Sequence, residues 1–115
     1  MRLPNVDQAI VGKAKIADYL LSPSHPRGRH KARFFESFGF GRDECDGLVD
    51  ALLLHARSNE VVRTETSRFG MRYVIDGPIR SPDGRSPTIR AVWFISSNAS
   101  EPYFVTAYPL LERMP

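Results

Sequence analysis

Apolar residues recur along this chain with two different periods, and the change falls near residue 60. Before it the spacing is helical. Ile16 and Leu20 stand four apart with Tyr19 beside them, which predicts a short helix from about Lys13 to Leu21, stopped by the Ser-Pro run that follows. A second helix is expected from Arg29 to Phe38, closed by Gly39 in the left-handed conformation that glycine tolerates best. A third carries Cys45, Leu48, Val49, Leu52, Leu53 and Ala56 as an apolar stripe, with Asp43 placed to cap its start.

After Glu60 the period becomes two. VVRTETSR and MRYVIDGPI flank a turn at Phe69-Gly70, SPDGRS is a second turn, and TIRAVWFIS and YFVTAY follow as two more strands. Consecutive strands with short connections make an antiparallel meander, and its apolar face needs the preceding helices as a cover. The expected fold is therefore α+β, about three N-terminal helices packed on a four-stranded antiparallel sheet. Residues 1–115 form a single domain in this reading, helical over about 1–60 and sheet over about 61–110.

Alternation assigns the two faces of that sheet. Ile89, Ala91, Trp93 and Ile95 should face the helices, as should Met71, Tyr73, Ile75, Tyr103, Val105 and Ala107. The opposite face then receives Arg72, Val74 and Asp76, Arg90, Val92 and Phe94, and Phe104, Thr106 and Tyr108. A slip of one residue in any strand would invert its assignment.

Composition changes this picture little. The chain has 115 residues, 42% hydrophobic and 10% aromatic, which are ordinary globular values. No apolar run reaches the ~20 residues that span a bilayer, and the first residues lack a signal-peptide pattern, so a cytoplasmic protein without membrane contact is expected. The lone Cys45 can form no internal disulfide and reads as a core thiol. His25 and His30 lie five apart with no third ligand, so no metal or cofactor is expected.

Charge adds more. Net charge is +3, yet every cation except Lys13, Lys15 and Lys31 is an arginine, the side chain suited to bidentate phosphate contacts. Cations concentrate in SHPRGRHKAR, residues 24–33, ahead of the apolar FFESFGF. On a helix Lys31 falls within the arc of Phe34, Phe35 and Phe38, with His30 at its edge. A lysine there must either snorkel to water or occupy a polar recess. Cations in a first helical turn also oppose the helix dipole, a penalty that a bound anion would relieve.

The run LPN, then YLLSPSHPRGRHKARFF, then EVV and a terminal FVTAYP, resembles an uncharacterised bacterial domain family across nearly the whole chain. More remotely, helices followed by a four-stranded meander, with a basic His-bearing segment and a hydroxyl plus Tyr on the last strand, resemble the barnase, EndoU, colicin and RelE group of metal-independent ribonuclease toxins. That resemblance implies RNA cleavage by acid/base chemistry. His30, Arg90, Thr106 and Tyr108 would be the catalytic residues, and Arg29, Lys31, Arg33 and Arg72 would bind the substrate. RNA is then the substrate, and a cognate antitoxin or immunity-type protein the partner. The alternative is a non-catalytic protein- or RNA-binding module, such as the recognition half of a two-gene pair.

Overall fold

The change of period near residue 60 is a change of secondary structure in the computed structural model, which describes residues 1–22, 24–26, 28–41, 43 and 45–110. A short 3₁₀ turn, Val6–Gln8, precedes α1 (Lys13–Lys15), which runs directly into a π-helical turn at Ile16–Leu20. Helices α2 (Arg29–Ser37) and α3 (Cys45–Ser58) follow, then strands β1 (Val61–Ser67), β2 (Gly70–Pro78), β3 (Thr88–Ser96) and β4 (Tyr103–Pro109). The strands pair antiparallel in the order β1-β2-β3-β4. This is the α+β meander expected, with helices before strands. Among the described residues no helix is long and apolar enough to cross a membrane.

The core lies between the helices and one sheet face. α3 buries Leu48, Ala51, Leu52, His55 and Ala56, the i, i+3, i+4, i+7 spacing of one helical face. α2 contributes Ala32 and Phe35, and the sheet contributes Ile75, Ile89, Ala91 and the fully buried Trp93. Gly39 closes α2 with φ of 100°, as its position predicts. α3 begins at Cys45, two residues after the Asp43 expected to cap it.

Strand parity holds on β2 and β3 and fails on part of β4. Phe104 pairs with Trp93 and Thr106 with Val92, so Val105 is an extra residue in the ladder. This bulge resets the alternation. Phe104, expected on the outer face, is buried and meets the Trp93 ring edge-on at 5.5 Å. Tyr103, expected in the core, is 48% exposed. Thr106 and Tyr108 lie beyond the bulge and keep the outer face, opposite Val92 and Arg90.

The β2–β3 loop is fastened to the C-terminal end of α2. The Arg85 guanidinium lies 4.1 Å from the centre of the Phe38 ring and donates to the Ser37 carbonyl. Inside the loop, the buried Ser81 hydroxyl donates to Asp83 at 2.7 Å and accepts the Ser86 amide at 3.1 Å. Ser81→Ala leaves that amide without its acceptor. It should cost about 1–2 kcal/mol, seen as a lower urea midpoint with an unchanged denaturant slope.

Candidate functional site

The basic segment is anchored by a glycine and a histidine. Gly28 packs so closely on the π turn that a Cβ there would stand 1.9 Å from the Tyr19 carbonyl oxygen. The Gly28 amide donates to His25 Nδ1 at 3.1 Å, and the Arg29 amide donates to the His25 carbonyl at 2.9 Å. Neutral His25 therefore carries its proton on Nε2. Its ring also meets the Tyr19 ring edge-on at 4.9 Å. Two amides at the start of α2 are thus satisfied by one residue, which fixes where the helix begins.

One turn later the consequence is visible at Lys31. Its ammonium donates to the Tyr19 hydroxyl at 2.5 Å and to Thr106 Oγ1 at 3.2 Å. It also lies 4.8 Å from the centre of the Tyr19 ring and 5.9 Å from that of Tyr108. Lys31 occupies a polar recess, built from α2, the π turn and β4. Burial raises the Tyr19 phenol, but hydrogen bonds from Lys31 and Thr106 and the charges of Lys31 and Lys15 outweigh it, leaving the group below its ordinary value.

On the outer sheet face, Asp76, Arg90 and Tyr108 form one cross-strand row. Arg90 grips Asp76 with two hydrogen bonds of 2.8 Å each. Those bonds hold the guanidinium above its ordinary value against partial burial, and a further hydrogen bond to Tyr108 adds to them. Arg90 is therefore already paired and reaches its surroundings through Tyr108.

Of the residues singled out in the sequence, the structure brings together Lys31, Thr106, Tyr108 and Arg90. His30, Arg29 and Arg33 are exposed. At about 100° per residue these three fall within one arc of α2 turned away from Phe35, with Lys31 about another 100° beyond His30. Arg72 is exposed on the outer sheet face, one row beyond Val74. Arg27, the other cation of the segment, lies outside the described residues. The sequence pattern alone gives no site role to Tyr19, Asp76 or His25. A signal existed for Tyr19: a phenol inside an apolar stripe needs a partner for its hydroxyl, and Lys31 over an apolar arc needs the same.

The third histidine is structural. His55 is 2% exposed, and its Nε2–H donates to the Gly77 carbonyl at 3.1 Å, whereas Nδ1 has no partner among the described residues. Burial holds its imidazole below the ordinary 6.5, outweighing the Gly77 carbonyl and the Asp76 charge, which act the other way. Between that lowered value and 6.5 the unfolded chain binds a proton that the folded chain refuses. Its contribution is fully present above 6.5 and declines as pH falls, with a slope of at most about 1.4 kcal/mol per pH unit. His55→Gln should remove that component, so urea midpoints measured from about pH 7.5 to 5 should fall less steeply than in the parent.

Elsewhere, an apolar groove of about 320 Å³ runs between α3 and the β2–β3 loop, lined by Phe40, Ala51, Leu54, Arg80 and Pro82 among others. It shares no residue with the Lys31 cluster. Cys45 packs against the core. Among the described residues no three His, Cys, Asp or Glu side chains gather as metal ligands.

Comparison with protein families matches residues 2–111 to a model described as a domain of unknown function, DUF6883. No curated protein matches. Among solved structures, a chain of a contact-dependent growth inhibition toxin–immunity protein complex from Klebsiella pneumoniae 342 is similar. The likeness has a TM-score of 0.71 and 16% sequence identity, and covers 89% of this chain and 100% of that one. At that identity it is a likeness of fold.

Proposed function

Since the chain belongs to the DUF6883 family, a domain of unknown function, we propose that it is a component of a toxin–immunity system, specifically a ribonuclease toxin that cleaves cytoplasmic RNA without a metal. The observation that carries this reading is the convergence of Lys31, Tyr19 and Thr106 from three separate elements on one point beside Tyr108. The fold shared with a chain of a toxin–immunity complex supports the system to which it is assigned. Fold alone carries no chemistry, so the assignment rests on the cluster.

The reaction uses the RNA's own 2′-hydroxyl. In the phenolate form Tyr19 accepts the 2′ proton as the 2′-oxygen attacks the adjacent phosphorus. Lys31 stabilises the charge that develops on the phosphorane, and Thr106 orients the phosphate. Tyr108, held by Arg90, donates its proton to the departing 5′-oxygen as the P–O5′ bond breaks. The products are a 2′,3′-cyclic phosphate and a 5′-hydroxyl, and proton exchange with water resets the two phenols. Arg29, His30 and Arg33 line the exposed side of α2 and attract the RNA backbone by charge. An immunity-type partner inhibits by covering the Lys31 cluster.

Single-turnover cleavage by point variants tests this assignment. Tyr108→Phe should lose about 10²-fold or more, and Thr106→Val a smaller part of that. His30→Ala should weaken RNA binding in a salt-dependent way and leave the chemical step within a few-fold. Loss of the chemical step with His30→Ala, and none with Tyr108→Phe, would move the reaction to the exposed side of α2. A binding module without catalysis is the second reading, favoured by the apolar groove at α3. It predicts that no variant matters because the parent protein leaves RNA intact.

A further inference from the structure

The outer sheet face carries a second row that the proposed reaction does not use. Glu65, Arg72, Phe94 and Tyr103 stand directly opposite one another across all four strands. Glu65, Thr66, Ser67, Arg72 and Phe94 line a cleft of about 200 Å³ at one end of this row. Phe94 is half-buried and its ring tip reaches over the β1–β2 turn, where a Cβ on Gly70 would come within 2.7 Å of it. Tyr103, turned outward by the Val105 bulge, is 48% exposed. The row therefore offers one exposed and one half-buried aromatic side chain beside an exposed guanidinium.

Its charge is not neutral in effect. Glu65 is paired with Arg63 at 3.3 Å, whereas Arg72 has no ion pair among the described residues. Between this row and the Asp76–Arg90–Tyr108 row lies Val74–Val92–Thr106, whose valines are 1% and 6% exposed. On β2 and β3 the aromatic row stands a single two-residue step, about 7 Å along the strands, from the Val74–Val92–Thr106 row, and on β4 the bulge makes the step from Tyr103 to Thr106 three residues.

Resting on the ribonuclease reading, we infer that Phe94 and Tyr103 form a stacking subsite for a nucleobase flanking the cleaved linkage of single-stranded RNA, with Arg72 contacting the phosphate beside it. Stacking on aromatic side chains is how a sheet face holds an unpaired base, and Tyr103 and Phe94 are adjacent aromatic side chains on this one. A basic side chain at the end of such a platform complements the anionic backbone. The single-row spacing makes the platform continuous with the reaction cluster, so one short strand of RNA engages both.

The experiment uses the full chain and a single-stranded oligoribonucleotide with one 2′-deoxy position, which binds without being cut there, and reads affinity by fluorescence anisotropy. Tyr103→Ala and Phe94→Ala should each weaken binding roughly ten-fold. Tyr103 is exposed, so its variant keeps the test valid where Phe94→Ala disturbs folding. Removing the base next to the deoxy position should weaken the parent by a similar factor and leave the variants unchanged, since they have already lost that contact. If the parent binds and cleaves RNA while both variants bind as tightly as it does, the subsite is wrong and the ribonuclease reading survives. A parent that neither binds nor cleaves overturns both. Variants that lose affinity for an immunity-type protein but not for RNA would make this row a protein surface and overturn the inference.

Discussion

Lys31→Met is expected to slow RNA cleavage at neutral pH by about 10²–10³-fold while the chain stays folded. Met preserves the length of the aliphatic stem and removes the ammonium, so the apolar part of the side chain still packs along α2. Two effects then combine. The phosphorane loses its nearest cation, and the Tyr19 phenol loses the charge and hydrogen bond that hold it below its ordinary value. The second effect has its own signature. With Lys31 gone, burial is opposed only by Thr106 and the Lys15 charge, so Tyr19 rises and the ascending limb of the pH–rate profile should move to higher pH. A variant that is slow at every pH with an unmoved limb would show Lys31 acting on the phosphate alone. One with unchanged rates would remove Lys31 from the reaction. The stability cost should be small, about 1 kcal/mol, because the Tyr19 and Thr106 hydroxyls lose a partner at a half-buried site.

Gly28→Ala should damage both stability and activity. The new methyl carbon would stand 1.9 Å from the Tyr19 carbonyl oxygen and 2.8 Å from its carbonyl carbon, and both are backbone atoms that cannot rotate away. The start of α2 must instead lift from the π turn, at about 2–3 kcal/mol in urea unfolding. That movement also withdraws Lys31 from Tyr19 and Thr106, so cleavage should fall toward the level of Lys31→Met. Gly41→Ala is the matched control, since nothing lies within 4 Å of its Cβ position; it should change stability by less than about 1 kcal/mol. Equal behaviour of the two variants would mean that the close approach at Gly28 does not govern the cluster.

Much of the fold is legible in the hydrophobic periods. The three helical segments, the four strands, the left-handed Gly39 and the core face of β3 all follow from local spacing, because each depends on residues near one another in the chain. The Val105 bulge does not. An extra residue in a ladder depends on what stands across from it, here Trp93, and parity counted along β4 alone inverts Tyr103 and Phe104. Thr106 and Tyr108 kept their face only because they lie beyond the bulge.

The site was legible in its parts and illegible in its pairings. Parity already put Asp76 and Arg90 on one face, but only the register makes them opposite neighbours, and so turns Arg90 from a free cation into a paired one. Helical spacing puts His30 at the edge of an apolar arc of three phenylalanines. α2 instead turns Ala32 and Phe35 inward and packs Gly28 against Tyr19, which leaves His30 facing solvent. Lys31 posed its question in the sequence. Tyr19 answers it from a turn whose π geometry no apolar spacing reveals.

The account's central claim is that the Lys31 cluster cleaves RNA without a metal. Its most direct test is incubation of the purified, partner-free protein with total bacterial RNA in excess EDTA, followed by analysis of the fragment ends. Fragmentation that leaves 2′,3′-cyclic phosphates and 5′-hydroxyls is the predicted result. RNA left intact by demonstrably folded protein, or fragments with 5′-phosphate ends, would contradict it.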